Sequence, residues 1–143
     1  VPDLADPFAN PAGLDLSALA VVADAVSTPY QAVKKAGLQA GDLAVWVGAG
    51  GVGGFGVQIS AALGAHVVAI DVDPVRLERL SRFGAAHTLS AASADARALK
   101  RDLRQIAETH GVPTWRWRIF EASGQPAGQA LAFGLLAHGS TLA

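Results

Sequence analysis

Apolar residues recur along this chain at two spacings that take turns. Short runs stand at LAVWV (43–47), HVVAI (66–70), AHTLS (86–90), WRWRIF (115–120) and STLA (140–143). Their length and their β-branched or aromatic content read as strands. Between the runs, apolar positions fall three and four apart. One series is Val52, Phe55 or Gly56, Ile59 and Leu63; a second is Leu77, Leu80 and Phe83 or Gly84; a third is Leu99, Leu103 and Ile106. That spacing gives a helix an inward face. PAGQALAFGLLAHG (126–139) continues the series as a last helix. Strands alternating with helices predict an α/β fold, a doubly wound parallel sheet with helices on both faces, cut off after its fifth strand.

Punctuation sets the boundaries. Residues 1–13 are rich in Pro, Asp, Asn and Ala without periodicity, and Leu14–Val22 predicts a short helix from near Ser17. The chain thus divides into a linker over 1–16 and one domain over 17–143. STPYQAV predicts a capping-box start, with Thr28 as the cap, Pro29 at the first helical position and Gln31 three after the cap. Gly37 ends that helix, with Lys34 and Lys35 near its negative end. Asp73 before Pro74 predicts another cap, Gly84 a stop, and Ser93 the cap of a helix reaching Glu108. Arg97, Arg101 and Arg104 form the solvated face of that helix. Trp115 and Trp117 alternating with Arg116 and Arg118 predict a half-exposed strand, in preference to an arginine pair waiting for an anionic substrate.

The candidate chemistry lies in VWVGAGGVGGFGVQISAALGAHVVAIDVD, residues 45–73. A strand, a glycine-rich turn, a helix, a second strand and a terminal acid make a unit that grips the pyrophosphate and one ribose of a dinucleotide. Two frames fit G-x-G-x-x-G. The frame Gly48, Gly50, Gly53 starts where LAVWV ends and leaves eighteen residues from Gly53 to Asp71, close to the roughly twenty expected. In this frame Gly48 makes the tight turn, Gly50 admits the pyrophosphate and Gly53 lets helix and strand pack closely. The helix opening near Gly51 and Val52 aims its free N–H groups at the phosphates. Asp71 is placed to accept hydrogen bonds from both ribose hydroxyls and to repel the extra phosphate of NADP, while Asp73 serves as the helix cap. The ligand belongs at the carboxyl ends of the strands, where the strand order reverses.

Composition narrows the partners. With 51% hydrophobic residues and 143 positions, one domain with a sizeable core is expected. A net charge of −1 without a basic block argues against nucleic acid or a membrane surface. Cysteine is absent, so disulfides and thiolate metal sites are excluded. No apolar run has membrane-span length and the N-terminus has no signal-peptide layout; a cytoplasmic setting is the expectation. The absence of methionine, the start at Val1 and the stop inside a strand predict one domain of a longer enzyme.

Four segments in order, ADAVSTPYQAVKKAGLQAGD, VWVGAGGVGGFGVQISAALGA, VVAIDVDPVRLERLSRFGA and IFEASG, resemble the zinc-type medium-chain alcohol dehydrogenases. Within them, STPYQAV, WRWRIFEASG and the Asp24 position are most similar to the 6-hydroxycyclohex-1-ene-1-carbonyl-CoA dehydrogenases of anaerobic aromatic degradation. The resemblance implies a Rossmann domain that binds NAD. It carries pyrophosphate contacts onto Gly48, Gly50, Gly51, Val52 and Gly53, and adenosine-ribose contacts onto Asp71 and Val72, with Arg76 flanking. It places Ala122 and Ser123 near adenine and ribose, and Thr28 beside the nicotinamide as well as in its capping role. Asp24 stands where relatives carry the third protein ligand of the catalytic zinc, commonly Cys and in some subgroups an acid. A carboxylate oxygen is a competent ligand, and a turn or cap residue is the other reading.

The resemblance also implies NAD-dependent oxidation of a secondary alcohol, with zinc in the full-length enzyme, a small-molecule substrate that includes an acyl-CoA, and a homo-oligomer. The remaining zinc ligands and the proton relay would lie upstream of Val1. No catalytic residue falls within this chain, and the isolated domain is expected to be inactive. His66, His87, His110 and His138 are scattered along the sequence without ligand spacing and carry no assigned chemistry. Three rivals are a zinc-free quinone oxidoreductase of the same superfamily, a flavin-binding domain and a non-catalytic NAD-sensing module. Asp71 counts against the first and the STPYQAV entry against the second; an upstream zinc site would exclude the third.

Overall fold

The computed structural model describes residues 4–8, 10–92 and 95–143. Helices α1 (Leu16–Leu19) and α2 (Ser27–Lys35) lead into β1 (Leu43–Val47), α3 (Gly51–Ala62), β2 (His66–Asp71), α4 (Pro74–Ser81), β3 (His87–Ser90), α5 (Ala96–Thr109), β4 (Trp117–Glu121), α6 (Pro126–Leu135) and β5 (Thr141–Leu142). The five strands form one sheet in the order β3-β2-β1-β4-β5, every pair parallel. The doubly wound sheet is therefore as expected, with β1 at its centre. Leu43 stands opposite His66 on one side and Trp117 on the other, and Val47 opposite Ile70 and Glu121.

Side chains of β1 alternate between two cores. Leu43, Val45 and Val47 join Leu99 and Leu103 of α5 and Leu135 of α6. Ala44 and Trp46 face the other way, toward Val33 of α2, Val57 of α3 and Leu77 and Leu80 of α4. A central parallel strand is covered on both faces, which is why LAVWV is apolar throughout and not alternating. Each fully buried Val or Leu contributes about 1.5–3 kcal/mol relative to exposure.

Several local expectations shift. The inward face of α3 is Gly53, Gly56, Val57 and Ser60; of the Val52, Phe55 or Gly56, Ile59 and Leu63 series, Gly56 is buried as expected, Ile59 packs at the edge of the core and Leu63 is exposed. The cause is Trp46. Its indole lies under α3, stacks on Phe120 at 4.3 Å between centroids and donates from Nε1 to Ser60 Oγ at 3.0 Å. A Cβ on Gly56 would overlap that ring, so the helix turns its small residues inward. Past the end of α4, Gly84 lies against α3, where a Cβ would come within 2.7 Å of Ala61 Cβ, and Phe83 is half-exposed.

Helix α1 starts at Leu16, where Asp15 accepts from Ala18 N at 2.7 Å. Helix α2 starts at Ser27, so Thr28 lies inside the helix and is not its cap. Residues 20–23 are already wound as a 3₁₀ turn, and the Asp24 carbonyl accepts from Thr28 N at 2.9 Å. Tyr30 N, which a Thr28 cap would serve, already donates to Val26 O at 3.2 Å. Helix α5 is capped by Asp95, which accepts from Ala98 N at 2.7 Å; Ser93 lies outside the described residues. Strand β4 begins only at Trp117, because residues 114–116 form a 3₁₀ turn. It is a covered inner strand and not a half-exposed one. Arg116 and Arg118 both reach the buried Asp42 carboxylate that precedes β1, which is what occupies that arginine pair.

Candidate functional site

The carboxyl ends of β1, β2 and β4 meet at one rim. Gly48 leaves β1 with φ +99°, and a Cβ there would lie 2.5 Å from Ser123 N. Only glycine accepts that φ without strain. A Cβ on Gly53 would overlap the Gly48 carbonyl oxygen, so the first turn of α3 sits directly on the strand end. Gly50 and Gly51 differ from both: a Cβ on either would meet nothing within 4 Å. Gly50 is the N-cap of α3, without any side-chain cap bond. The first-turn N–H groups of α3 thus open outward, at the positive end of the helix dipole.

Asp71, at the end of β2, is buried and braces this turn. Its Oδ2 accepts from Ala49 N at 2.6 Å and its Oδ1 from Asp73 N at 2.8 Å. Each carboxylate oxygen can take two hydrogen bonds, so one position on each stays available. Arg76 Nη1 is 3.9 Å from Asp71 Oδ2, while Arg76 Nε pairs with Asp73 at 3.3 Å. Asp73 also caps α4, accepting from Val75 N at 2.9 Å, as expected.

A cavity of about 540 Å³ lies beside this rim. Gly48, Asp71, Val72 and Ser123 line it, together with apolar surface from Val47, Ile70, Ala91, Ala96 and Leu131. The turn over residues 121–124 stands at this rim as expected, while Gln125 and Gly128, which line the cavity, were missed by sequence reasoning. Glu121 Oε1 accepts from Ser123 N at 2.8 Å and from the Ser123 hydroxyl, which in turn accepts from Gln125 N at 3.1 Å. Ala122 N donates to Val47 O at 2.8 Å and ties this turn to β1. A Cβ on Gly128 would overlap Ser123 Oγ. A glycine inside a helix's first turns after Pro126 was the available signal, since such a glycine is unfavourable unless something approaches closely.

Thr28 and Asp24 are not brought to this cavity. Thr28 lines a separate groove with Ser27, Gln31, Ala32, Lys35 and Ala143. Its Oγ1 donates to the exposed Asp24 Oδ1 at 2.9 Å. Among the described residues no group of three or more His, Asp or Glu could hold a metal ion. The described residues therefore do not make a zinc site by themselves. Three histidines scattered in sequence, His66, His87 and His110, do meet, but at the opposite end of the sheet.

Residues 51–143 match the family described as Zinc-binding dehydrogenase. The chain belongs to that family. It is 30% identical over 132 residues to an alcohol dehydrogenase of Moraxella sp. (strain TAE123), covering 92% of this chain and 36% of that protein. It is 38% identical over 87 residues to an NAD-dependent alcohol dehydrogenase of Saccharolobus solfataricus, covering 59% of this chain and 24% of the relative. The fold superimposes on a Thermotoga maritima alcohol dehydrogenase with a TM-score of 0.78 at 31% identity, over 90% of this chain and 35% of that one. The chain thus spans between about a quarter and about a third of the length of these relatives. Among the described residues no helix is long and apolar enough to cross a membrane.

Proposed function

We propose that this chain holds and orients NAD for an alcohol dehydrogenase acting on a secondary alcohol. One observation carries the reading. An uncapped helix start with two unobstructed glycines lines one hollow with Arg76, and beside it the carboxylate that braces the Gly48–Ala49 turn lines a second cavity. The N–H groups of Gly50, Gly51, Val52 and Gly53 would hold the pyrophosphate. Asp71 would accept the ribose hydroxyls, with Arg76 beside it. Val72, Ala122 and Ser123 would bound the adenine side of the cavity. When bound, NAD supplies the nicotinamide carbon that accepts the hydride. This chain's own residues bind the cofactor's adenosine half and keep a 2′-phosphate out, because Asp71 and Asp73 both place negative charge where it would sit.

A 6-hydroxy alicyclic acyl-CoA is the substrate suggested by STPYQAV and WRWRIFEASG, a finer reading that rests on sequence resemblance alone. Thr28 beside the nicotinamide and Asp24 as a zinc ligand belong to the same reading of the longer enzyme. Calorimetry with NAD and NADP tests the site. NAD binding with NADP at least about tenfold weaker, or about 1.4 kcal/mol, is expected; equal affinities would refute the role given to Asp71.

A further inference from the structure

Three of the four histidines meet at the amino ends of the strands. His66 opens β2, His87 opens β3 and His110 is the C-cap of α5. The His66 and His110 rings stack, with centroids 4.1 Å apart and planes 22° from parallel. His87 Nε2 and His110 Nε2 are 3.2 Å apart. The centroids of those two rings are 5.5 Å apart, 2.3 Å more than their nitrogens, which is the sum of two centre-to-nitrogen radii of imidazole. The nitrogens therefore face each other along the line joining the rings. Two nitrogens sharing a metal ion would aim at a common point off that line. Only an N–H···N hydrogen bond fits, with one ring donating and the other accepting.

We propose that His66, His87 and His110 form a one-proton latch joining the C-terminus of α5 to the starts of β2 and β3. The latch holds when the trio is neutral or carries one proton, and opens when His110 and a neighbour are both protonated.

With at most one proton on the facing pair, one of the two rings donates from Nε2 and the other accepts. Protons on both His87 and His110 would set N–H against N–H across 3.2 Å; protons on both His66 and His110 would stack two cations at 4.1 Å. The other charge bearing on His66 is Arg116, which is committed to Asp42 at 2.6 Å; on His87 it is His110 alone. Partial burial first, and the charge of His110 second, hold both His66 and His87 below the ordinary histidine value. A histidine with a lowered folded pKa leaves stability intact above its unfolded value near 6.5. That stability is lost as pH falls through the lowered folded value, because the unfolded chain binds the proton more readily.

The test is an NMR titration of the imidazole resonances from about pH 8 to about pH 5, on either side of the ordinary value. His66 and His87 should titrate below the ordinary histidine value near 6.5, and both should move up toward it in His110→Gln. The thermal midpoint should fall with pH in the unaltered chain and less so in that variant. If His110→Gln does not fold, His87→Gln serves: His110 should lose its ring partner at Nε2 and His66 should stay low. His66 and His87 titrating at the ordinary histidine value would overturn the latch. So would zinc chloride shifting His87 and His110 together at neutral pH, which would make the pair a metal site.

Discussion

Two aspartates stand at opposite ends of one sheet, both buried, and their partners differ in kind. Asp42 precedes β1 and takes Arg116 Nε and Arg118 Nη2, with Gln39 N at 3.0 Å. Asp71 ends β2 and takes only backbone N–H groups at short range. Guanidinium partners cancel a carboxylate's charge and lock two chain segments together. Backbone donors stabilise the charge without cancelling it. The amino rim is thus closed on itself, with Asp42, two arginines and three histidines all partnered internally. The carboxyl rim keeps negative charge, spare acceptor positions and uncapped donors beside two cavities. One end holds the fold together and the other is prepared for a ligand.

That division can be attacked first at Asp42. Asp42→Ala should cost about 3 kcal/mol of unfolding free energy, the low end for breaking a buried pair, since Arg116 is itself partly exposed and can turn to water. Urea unfolding measures the loss, and ADP-ribose affinity under folding conditions should stay unchanged. Weaker nucleotide binding at unaltered stability would break the division between the two rims.

Asp71→Ala should register on both scales. Leaving Ala49 N and Asp73 N without their acceptor costs about 1–3 kcal/mol of stability. Losing the ribose contacts should weaken NAD about ten- to a hundredfold, the equivalent of roughly 1.5–3 kcal/mol. A variant as stable as the parent would show that the brace at the glycine turn is idle.

Gly50→Ala sharpens the contrast within the turn. Nothing stands within 4 Å of a Cβ there, so stability should change by no more than about 1 kcal/mol, the usual range for a cap position. NAD affinity should nevertheless fall about tenfold, or about 1.4 kcal/mol, because the methyl occupies the approach of the pyrophosphate. Calorimetry beside thermal melts separates the two effects, and unchanged affinity would move the phosphate away from Gly50.

The smallest expected difference is between ligands. Thr28 lines a groove apart from the cavity at Asp71, so the nicotinamide half adds little to what the adenosine half contributes. ADP-ribose and NAD should bind within a few-fold, about 1 kcal/mol. Much tighter binding of NAD would reveal a nicotinamide pocket formed by this chain alone.

What the sequence determined by itself is everything that depends on neighbours within about one supersecondary unit. The strand runs, the caps at Asp73 and the turn glycines Gly48 and Gly53 were legible because periodicity and φ requirements are local. The helix faces were legible only in part. Choosing Gly53, Gly56 and Ser60 as the inward side of α3 needed Trp46, ten residues before Gly56 and on another element. The partners of Asp42 and the meeting of three histidines were not legible at all. Residues 42, 116 and 118, and residues 66, 87 and 110, come together only when β4 and β2 settle on either side of β1 and β3 beyond β2. Their sequence separations hold no period that a helix or strand imposes. Long-range pairing of charges and rings is settled by which strand lies beside which, and strand order follows from how the helices cover both faces of the sheet, not from any one segment.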